Sequence, residues 1–461
     1  MYKHTMCKED TVKLRKLFAL LTIASLTLAG CTQAEPEPEV EEIVLKLAIQ
    51  DAGYGTAHWE HIIETFEAQY PNVSVEMTSS PDVGTLISTL AQAGDDEEMF
   101  DLIQAYSPYA AEGLLEPLDD LLDMPLPDNP DILLKDAFLE GVDKMVVPEA
   151  DGNVYKLPKS MWLGGLFYNT AVFEKYGWNT NPQNWDEFLA LMADIKADGL
   201  SPITYAGIYN YLYFTVGWHK AFELADEAND ASFRSDFVNY ADNRFNNKYM
   251  LAVYDKVYEL GELGYFDDGV AVLDHTQSQM QVIQENAALV SSADWIDNEM
   301  KSAYPAEGFE WGYMSIPFVE EKGGEIYVTA GASDSLSIWA GKSDVQKEWA
   351  KKFLLWTFTD DSQKVTAEAA TALPATATFY EDEANVENLV SAQKAIFAYI
   401  ANNNVVIESN YAIPPANLDG ELMQMANTEF ETNVPLISLA QKTANEVLDA
   451  ANAYYQQAVG R

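Results

Sequence analysis

Basic residues are scarce in this chain, and acidic residues dominate its charge. The 461 residues include 27 Lys and Arg against 73 Asp and Glu, which gives a formal net charge of −46. A field of this sign repels phosphate backbones and anionic lipid, so nucleic acid is excluded as a partner. We interpret the excess as a solvated acidic surface.

Histidine is also scarce, with five residues in all. His58 and His61 are one helical turn apart, a spacing that could hold a cation, but two ligands are an incomplete set. Asp226, Asn229 and Asp230 lack the glycine and the terminal glutamate of a calcium loop. The sequence therefore predicts no bound metal, and no cofactor is expected.

Long hydrophobic runs are almost absent. The apolar run 17–28 follows a basic stretch at 13–16 and ends in Leu-Ala-Gly-Cys at 28–31. It is too short to cross a bilayer, and its basic start and small residues before a cleavage point are typical of a secretory signal. The cysteine at that point resembles the signal of bacterial lipoproteins. The resemblance implies cleavage after residue 30 and acylation of Cys31.

Cysteine is limited to two residues. Cys7 lies in the predicted leader 1–30 and Cys31 is the predicted lipid site, so the mature chain would contain no disulfide. Residues 31–42 interleave glutamate with proline, which favours an extended tether. The body from residue 43 onward is long enough for two or three domains with a core of ordinary richness, since 48% of the chain is hydrophobic.

The periodicity of the body predicts an α/β fold. Apolar residues alternate over 43–49 and 73–77, which indicates strands, and recur at helical spacing over 59–70. Strand, helix and strand in this order form a βαβ unit with a parallel sheet. Similar aromatic stripes predict helices at 185–195 and 345–356.

Five segments in order resemble one family. The run FYNTAVFEKYG at 167–177 followed by NWDEF at 184–188 is similar to a segment of the family 1, maltose-binding-like extracellular solute-binding proteins. The other four segments with this similarity are 91–118, 286–295, 347–360 and 373–375. The family comprises receptors of ABC sugar importers.

The resemblance implies a two-lobed periplasmic-binding-protein-like fold of type II, with a hinge of crossing strands. Lobe one would contain 43–157 with 315–359, and lobe two 158–314 with 360–461. The protein would be a monomeric receptor, tethered to the membrane by lipid alone, that binds a carbohydrate between the lobes. It would deliver this oligosaccharide to permease subunits and would not be an enzyme.

Candidate ligand residues follow from where parallel strands end and from what sugars need. Ligands bind outside the carboxyl ends of such strands, which selects the loops after the first three strands. Sugar hydroxyls need polar partners and sugar C–H faces need aromatic rings, and the chain has 10 Trp and 25 Tyr. We expect carboxylates to accept hydroxyls and a glycine to let backbone approach the ligand. The predicted residues are Asp51, Tyr54, Ser80, Tyr106, Trp162, Tyr211, Trp218, Asp294, Trp295, Gly331 and Asp334.

Two alternatives stay open at this point. The same fold could take a polyamine, because a cation would be attracted by Asp51, Asp294 and the tryptophan rings. A secreted glycoside-active enzyme is a minor alternative, suggested by the acidic pairs 95–96 and 119–120. No G-x-S-x-G, H-E-x-x-H or P-loop motif is found in the sequence.

Overall fold

The computed structural model describes residues 41–104, 109–139, 141–149, 151–240, 243–305, 308–409, 414–415 and 417–460. The predicted leader, Cys31, nearly all of the predicted tether and Tyr106 lie outside these ranges. Within them, no helix combines the length and the apolar character needed to cross a membrane.

The strands in the described ranges are β1 (Ile43–Ile49), β2 (Val73–Ser79), β3 (Leu102–Ile103), β4 (Ser160–Asn169), β5 (Ser201–Tyr205), β6 (Ala287–Ala293), β7 (Trp311–Met314), β8 (Ile326–Ser333), β9 (Ser337–Ile338), β10 (Leu373–Pro374) and β11 (Val405–Ser409). The helices are α1 (Ala57–Gln69), α2 (Val83–Ala93), α3 (Asp119–Leu122), α4 (Leu134–Ala137), α5 (Thr170–Tyr176), α6 (Trp185–Ala197), α7 (Trp218–Glu227), α8 (Ser232–Val238), α9 (Lys248–Glu262), α10 (His275–Ile283), α11 (Ile296–Met300), α12 (Asp344–Trp356), α13 (Asp360–Ala369), α14 (Ala377–Glu381), α15 (Glu383–Glu387), α16 (Ser391–Asn402), α17 (Gly420–Ser438) and α18 (Ala444–Ala458). Short 3₁₀ turns lie at Asp143–Met145, Gly207–Tyr209, Tyr211–Phe214 and Val270–Val272.

The smaller sheet has the order β2-β1-β3-β9. β1 runs parallel to β2 and β3, which confirms the predicted βαβ unit, and β9 is antiparallel to β3. β3 contains only Leu102 and Ile103. The carboxylate of Asp101 accepts a hydrogen bond from the backbone N–H of Lys46 at 2.7 Å, so a side chain replaces one ladder contact there.

The larger sheet has the order β11-β8-β4-β6-β5, and β7 and β10 also pair with β4. β4 changes partners along its length, from β8 over Ser160–Leu163 to β6 over Gly164–Tyr168. Two glycines occupy the point of change. A Cβ on Gly165 would lie 2.1 Å from the Tyr313 ring, and one on Gly164 would lie 2.8 Å from the carbonyl oxygen of Phe214. The strand can bend through this crowded point because these residues carry no side chain.

β8 and β9 belong to different sheets. β8 pairs with β4 and β11 in the larger sheet, and β9 pairs with β3 in the smaller one. The predicted lobe boundary, which puts 315–359 in lobe one, stays a prediction. β8 forms backbone hydrogen bonds along both of its edges, to β4 on one side and to β11 on the other. Leu157 and Leu336 exchange two backbone hydrogen bonds at 3.3 Å, which forms an antiparallel bridge between the residues that precede β4 and β9.

The predicted helical stripes face the core. Trp59 and Phe66 of α1 are fully buried, and the ring of Phe66 packs edge-on against Phe353 of α12 at 5.1 Å. Val345, at the start of the α12 stripe, is instead 41% exposed, because the first turn of the helix projects into solvent. α13 packs against α1, where His61 and Asp361 form a 2.8 Å ion pair.

Candidate functional site

A cavity of about 430 Å³ lies where strands of both sheets end. Its wall includes the loop after β1, the residue after β3, the segment after β6 and the end of β8. These positions agree with the rule that ligands bind outside the carboxyl ends of parallel strands. We call this the first cavity. It is lined by Gln50, Ala52, Gly53, Tyr54, Gln104, Lys156, Trp162, Tyr211, His275, Trp295, Glu299, Ala332, Ser333, Asp334, Ser335 and Ser337.

Four of the predicted aromatic residues meet in the wall of the first cavity. The rings of Trp162 and Trp295 are 6.4 Å apart, and Tyr211 lies 6.5 Å from Trp295. Tyr54 packs edge-on against Trp295 at 6.0 Å and is buried. Trp162, Tyr211 and Trp295 are only partly buried, so part of each ring is available to a bound molecule.

Gly331 was predicted to let the backbone approach the ligand, but the structure places it away from the cavities. It lines neither cavity. A Cβ at this position would lie 2.5 Å from the indole ring of Trp162, which pairs with it across β4 and β8. The missing side chain therefore makes room for the tryptophan, and the ring lies flat on the strand.

Asp294 is also placed differently from the predicted hydroxyl acceptor. It is fully buried and lines neither cavity. Its carboxyl accepts hydrogen bonds from the backbone N–H of Leu163 at 3.0 Å and from the Tyr54 hydroxyl at 3.3 Å. Burial raises the pKa of Asp294 to about 8. The Asp294 carboxyl, which directly follows β6, therefore links that strand to β4 and to the loop after β1, and it lies behind the cavity wall.

Asp334 lies in the wall of the first cavity but is already engaged by the protein. One carboxylate oxygen accepts from Nε2 of His58 at 3.0 Å and pairs with Nζ of Lys159 at 3.1 Å. The other accepts from the amide of Gln104 at 2.8 Å. Burial opposes ionisation, but Lys159 and His58 outweigh it and hold the pKa of Asp334 well below its usual value. The residue has φ +48°, a conformation that asparagine and aspartate tolerate better than most side chains.

Several polar residues of the wall were absent from the sequence-based set. Glu299 accepts from the amide of Gln279 at 2.6 Å and lies 3.6 Å from Nε2 of His275. Burial raises the pKa of Glu299. The Ser335 hydroxyl is buried and has no hydrogen-bond partner among the described residues. Two features of the sequence could have indicated these residues. Asp274 caps the start of α10 and so places His275 at the end of a helix, and several serines surround Asp334.

Three further predicted residues, besides Gly331 and Asp294, do not contribute to the first cavity. Asp51 and Ser80 line neither cavity, and the Ser80 hydroxyl accepts from the backbone N–H of Asp82 at 3.2 Å in a local turn. Trp218 begins α7 and packs 5.4 Å from Phe222, on the wall of another cavity. Since Asp51 and Asp294 both lie off the cavity surface, the charge pair behind the polyamine alternative does not face a solute there.

A second cavity, of about 720 Å³, adjoins the first. The two share Trp162 and Tyr211, and the rest of the second wall comes mainly from 3₁₀ turns and helices. It is lined by Trp162, Tyr209, Asn210, Tyr211, Tyr213, Gly217, Trp218, Phe237, Tyr240, Arg244, Phe245, Met250, Tyr254, Thr329, Met423, Asn427, Phe430 and Glu431.

The histidine pair considered as a cation site is divided between two partners. His58 contacts Asp334 and His61 contacts Asp361, so each imidazole pairs with a different carboxylate. Across the part of the chain that the structure describes, no group of three or more His, Cys, Asp or Glu side chains could hold a metal ion.

Comparison with known proteins decides the family. The family model for bacterial extracellular solute-binding proteins matches residues 52–364, about two thirds of the chain. The chain belongs to this family. This solute-binding protein is 22% identical over 356 residues to the multiple sugar-binding protein of Streptococcus mutans, a match that covers 74% of this chain and 78% of the relative. It is 23% identical over 325 residues to a probable sugar-binding periplasmic protein of Brucella suis, covering 66% and 69% of the two chains.

Solved structures confirm the predicted fold. An ABC substrate-binding protein from Listeria monocytogenes in complex with cycloalternan matches with a TM-score of 0.68 at 14% identity, over 91% of this chain and 100% of that one. A chitin oligosaccharide binding protein matches with a TM-score of 0.67 at 18% identity, over 90% and 99%. The solute-binding protein therefore has the two-lobed type II architecture. The family match ends before α17, which supplies Met423 to Glu431 of the second cavity.

Proposed function

We propose that this solute-binding protein is an importer receptor and that it binds an oligosaccharide in the first cavity. The proposal depends mainly on one observation, the meeting of Trp162 and Trp295 with short polar side chains at the carboxyl ends of strands. Relatives named as sugar-binding proteins support the choice of solute.

The chemistry of the wall suits a sugar ring. The partly exposed indole faces offer flat apolar area against the C–H groups of a pyranose. Gln50, Ser335 and Glu299 offer amide, hydroxyl and carboxylate groups to its hydroxyls. A buried ligand hydroxyl without such a partner would cost about 1–3 kcal/mol, so the polar groups select for orientation. Of the predicted ligand residues, we retain Tyr54, Trp162, Tyr211, Trp295 and Asp334 as lining the site.

The binding event would act through the hinge. Ligand that contacts both lobes favours the closed form only by its differential affinity for that form. We place the crossing from lobe one near Leu157 and the return near Leu336, where the two segments bridge. The closed receptor would then present the sugar to the permease subunits of an ABC transporter.

We also propose that the amino-terminal segment anchors the receptor. Residues 1–30 would be removed, Cys31 would carry lipid, and the acidic segment 31–42 would tether a monomeric receptor to the outer face of the membrane. The protein would bind and release its solute without chemical change.

A thermal-shift screen of the purified protein tests this function. The ligand set contains mono- and oligosaccharides, spermidine-like polyamines and dipeptides. A ligand at 100 times its Kd adds about 2.7 kcal/mol to the free energy of unfolding, which raises Tm by at least a few degrees. We expect shifts with oligosaccharides only. Shifts confined to polyamines would keep the fold and overturn the carbohydrate proposal.

A further inference from the structure

Arg244 gives the second cavity a positive charge. It lies between α8 and α9, is half-buried and lines the cavity. Its guanidinium carbon is 4.1 Å from the centroid of the Phe237 ring and 4.5 Å from that of Tyr240. One N–H donates to the backbone carbonyl of Phe237 at 2.5 Å. The group is thus held by aromatic faces and a carbonyl.

No carboxylate of the described residues forms an ion pair with Arg244. Arg234 provides the contrast, because it also stacks on an aromatic ring, Phe222 at 4.4 Å, yet it pairs with Glu408 and with Asp226. Acidic side chains outnumber basic ones 73 to 27 in the chain, so partners are plentiful. Burial without such a partner lowers the pKa of Arg244. An anion supplied from outside would offset this cost.

The rest of the cavity suits a sugar that carries such an anion. Tyr209, Tyr213 and Trp218 contribute flat aromatic area. Asn210 is 3% exposed, and its carbonyl oxygen has no hydrogen-bond partner among the described residues, which leaves an acceptor for a ligand hydroxyl. Glu431 also lines the cavity but is exposed and forms no ion pair with Arg244 among the described residues.

We infer that the second cavity binds an anionic sugar residue, with its carboxylate or sulfate ester on the guanidinium of Arg244 and its ring against the aromatic wall. A planar guanidinium forms paired hydrogen bonds to such groups. The inference rests on the proposed carbohydrate function and extends it to acidic oligosaccharides. The shared residues Trp162 and Tyr211 would let one chain of sugars occupy both cavities.

Titration calorimetry with charge-matched ligands tests the inference. The probes are galacturonate, glucuronate and mannuronate trisaccharides, the methyl ester of each, and sulfated galactose disaccharides. We expect acidic forms to bind the unaltered protein at least tenfold more tightly than their neutral esters. In Arg244→Gln, the acidic and ester forms should bind with equal affinity. Arg244→Lys should keep part of the preference for the acidic forms. Binding of sulfated but not carboxylated probes would identify the ester as the anion.

Arg234→Gln is the matched control, since it removes a stacked but ion-paired arginine outside both cavities. It should leave the acid-to-ester ratio unchanged, and the ratio itself is insensitive to a general loss of folded protein. If neutral sugars bind and Arg244→Gln leaves every acid-to-ester ratio unchanged, the inference is wrong and the carbohydrate function stands. If no carbohydrate binds, both fail.

Discussion

The first and second cavities share a wall but are built by different means. The first is formed by loops at strand ends, and its polar groups are fixed by each other, as Gln104 and His58 fix Asp334. The second is formed mainly by helices and 3₁₀ turns, and aromatic rings make up much of its surface. Fixed polar groups favour recognition of one hydroxyl pattern, whereas aromatic faces accept many rings. On this comparison we expect the first cavity to select the hydroxyl pattern of the sugar, and the second to add affinity for longer ligands and, through Arg244, for anionic ones.

The largest expected effect comes from Trp162, the tryptophan that belongs to both cavities. Trp162→Ala removes the shared ring, so binding of short and long sugars should weaken on the order of 100-fold, about 2.7 kcal/mol. Calorimetry with a disaccharide and a tetrasaccharide measures both. A loss confined to one ligand length would show that the cavities act separately. Because the ring also packs on Phe214 at 5.3 Å, Tm should fall as well, and circular dichroism at the titration temperature serves as the folding control.

The protonation of Asp294, behind the wall of the first cavity, should make the stability of the protein depend on pH. Asp294 has a pKa of about 8 in the folded protein, well above its unfolded value, so the folded state holds a proton that the unfolded state has lost. The free energy of unfolding should therefore fall by roughly 2 kcal/mol as pH rises from 6.5 to 9. Asp294→Asn should remove this slope in urea titrations, whereas Asp51→Asn should retain it.

Other titrating groups around Asp294 do not reverse the sign of this prediction. Tyr54, Tyr313 and Tyr380 face it, and burial raises the pKa of each, so they stay neutral over the same range. Burial lowers the pKa of His58, whose contribution is lost as pH falls below about 6.5. An identical slope in the Asp294→Asn variant would mean that the carboxyl is ionised at neutral pH.

Trp295 lines the first cavity alone. Trp295→Ala should lower the affinity for every sugar about tenfold, since all ligands must fill the cavity that fixes their orientation. Fluorescence titration at two ligand lengths measures the change. A tenfold loss for the tetrasaccharide with none for the disaccharide would reverse the assignment of the two cavities.

The smallest effect is expected from Trp218, which lines the second cavity alone. Trp218→Ala should weaken the tetrasaccharide about threefold and leave the disaccharide unchanged, because this ring contributes area to the added sugars only. Its packing on Phe222 and Phe237 also supports the core, so Tm should fall. The ratio of the two affinities separates the binding effect from that loss of stability.

Much of the framework could be predicted from the sequence. Alternation and helical spacing are local properties, so β1, α1, β2 and the loop after β1 were recognisable. Of the tryptophans that line the first cavity, Trp295 was predicted from the end of a strand and Trp162 from the crossover that the family resemblance implies. The return of β8 to the larger sheet could not be predicted, since its pairing partners lie far away in the chain.

The predicted carboxylates show why site residues are harder to assign. Asp294 and Asp334 look like free acceptors in the sequence, but their partners, Tyr54 and His58, are more than 200 residues away. Arg244 shows the converse. Its segment carries no recognisable motif, and only the folded chain reveals that two aromatic rings and a backbone carbonyl hold its guanidinium.

The contact between Gly331 and Trp162 has a consequence for how this receptor could change over time. The Trp162 indole packs against Gly331, where even a methyl group would not fit, and Gly331 lines neither cavity. A single alanine there would displace the Trp162 ring, and with it the wall that the two cavities share, although the substituted residue itself does not meet the sugar. The size of the nutrient that the cell can capture would then be adjustable by one mutation behind the binding surface.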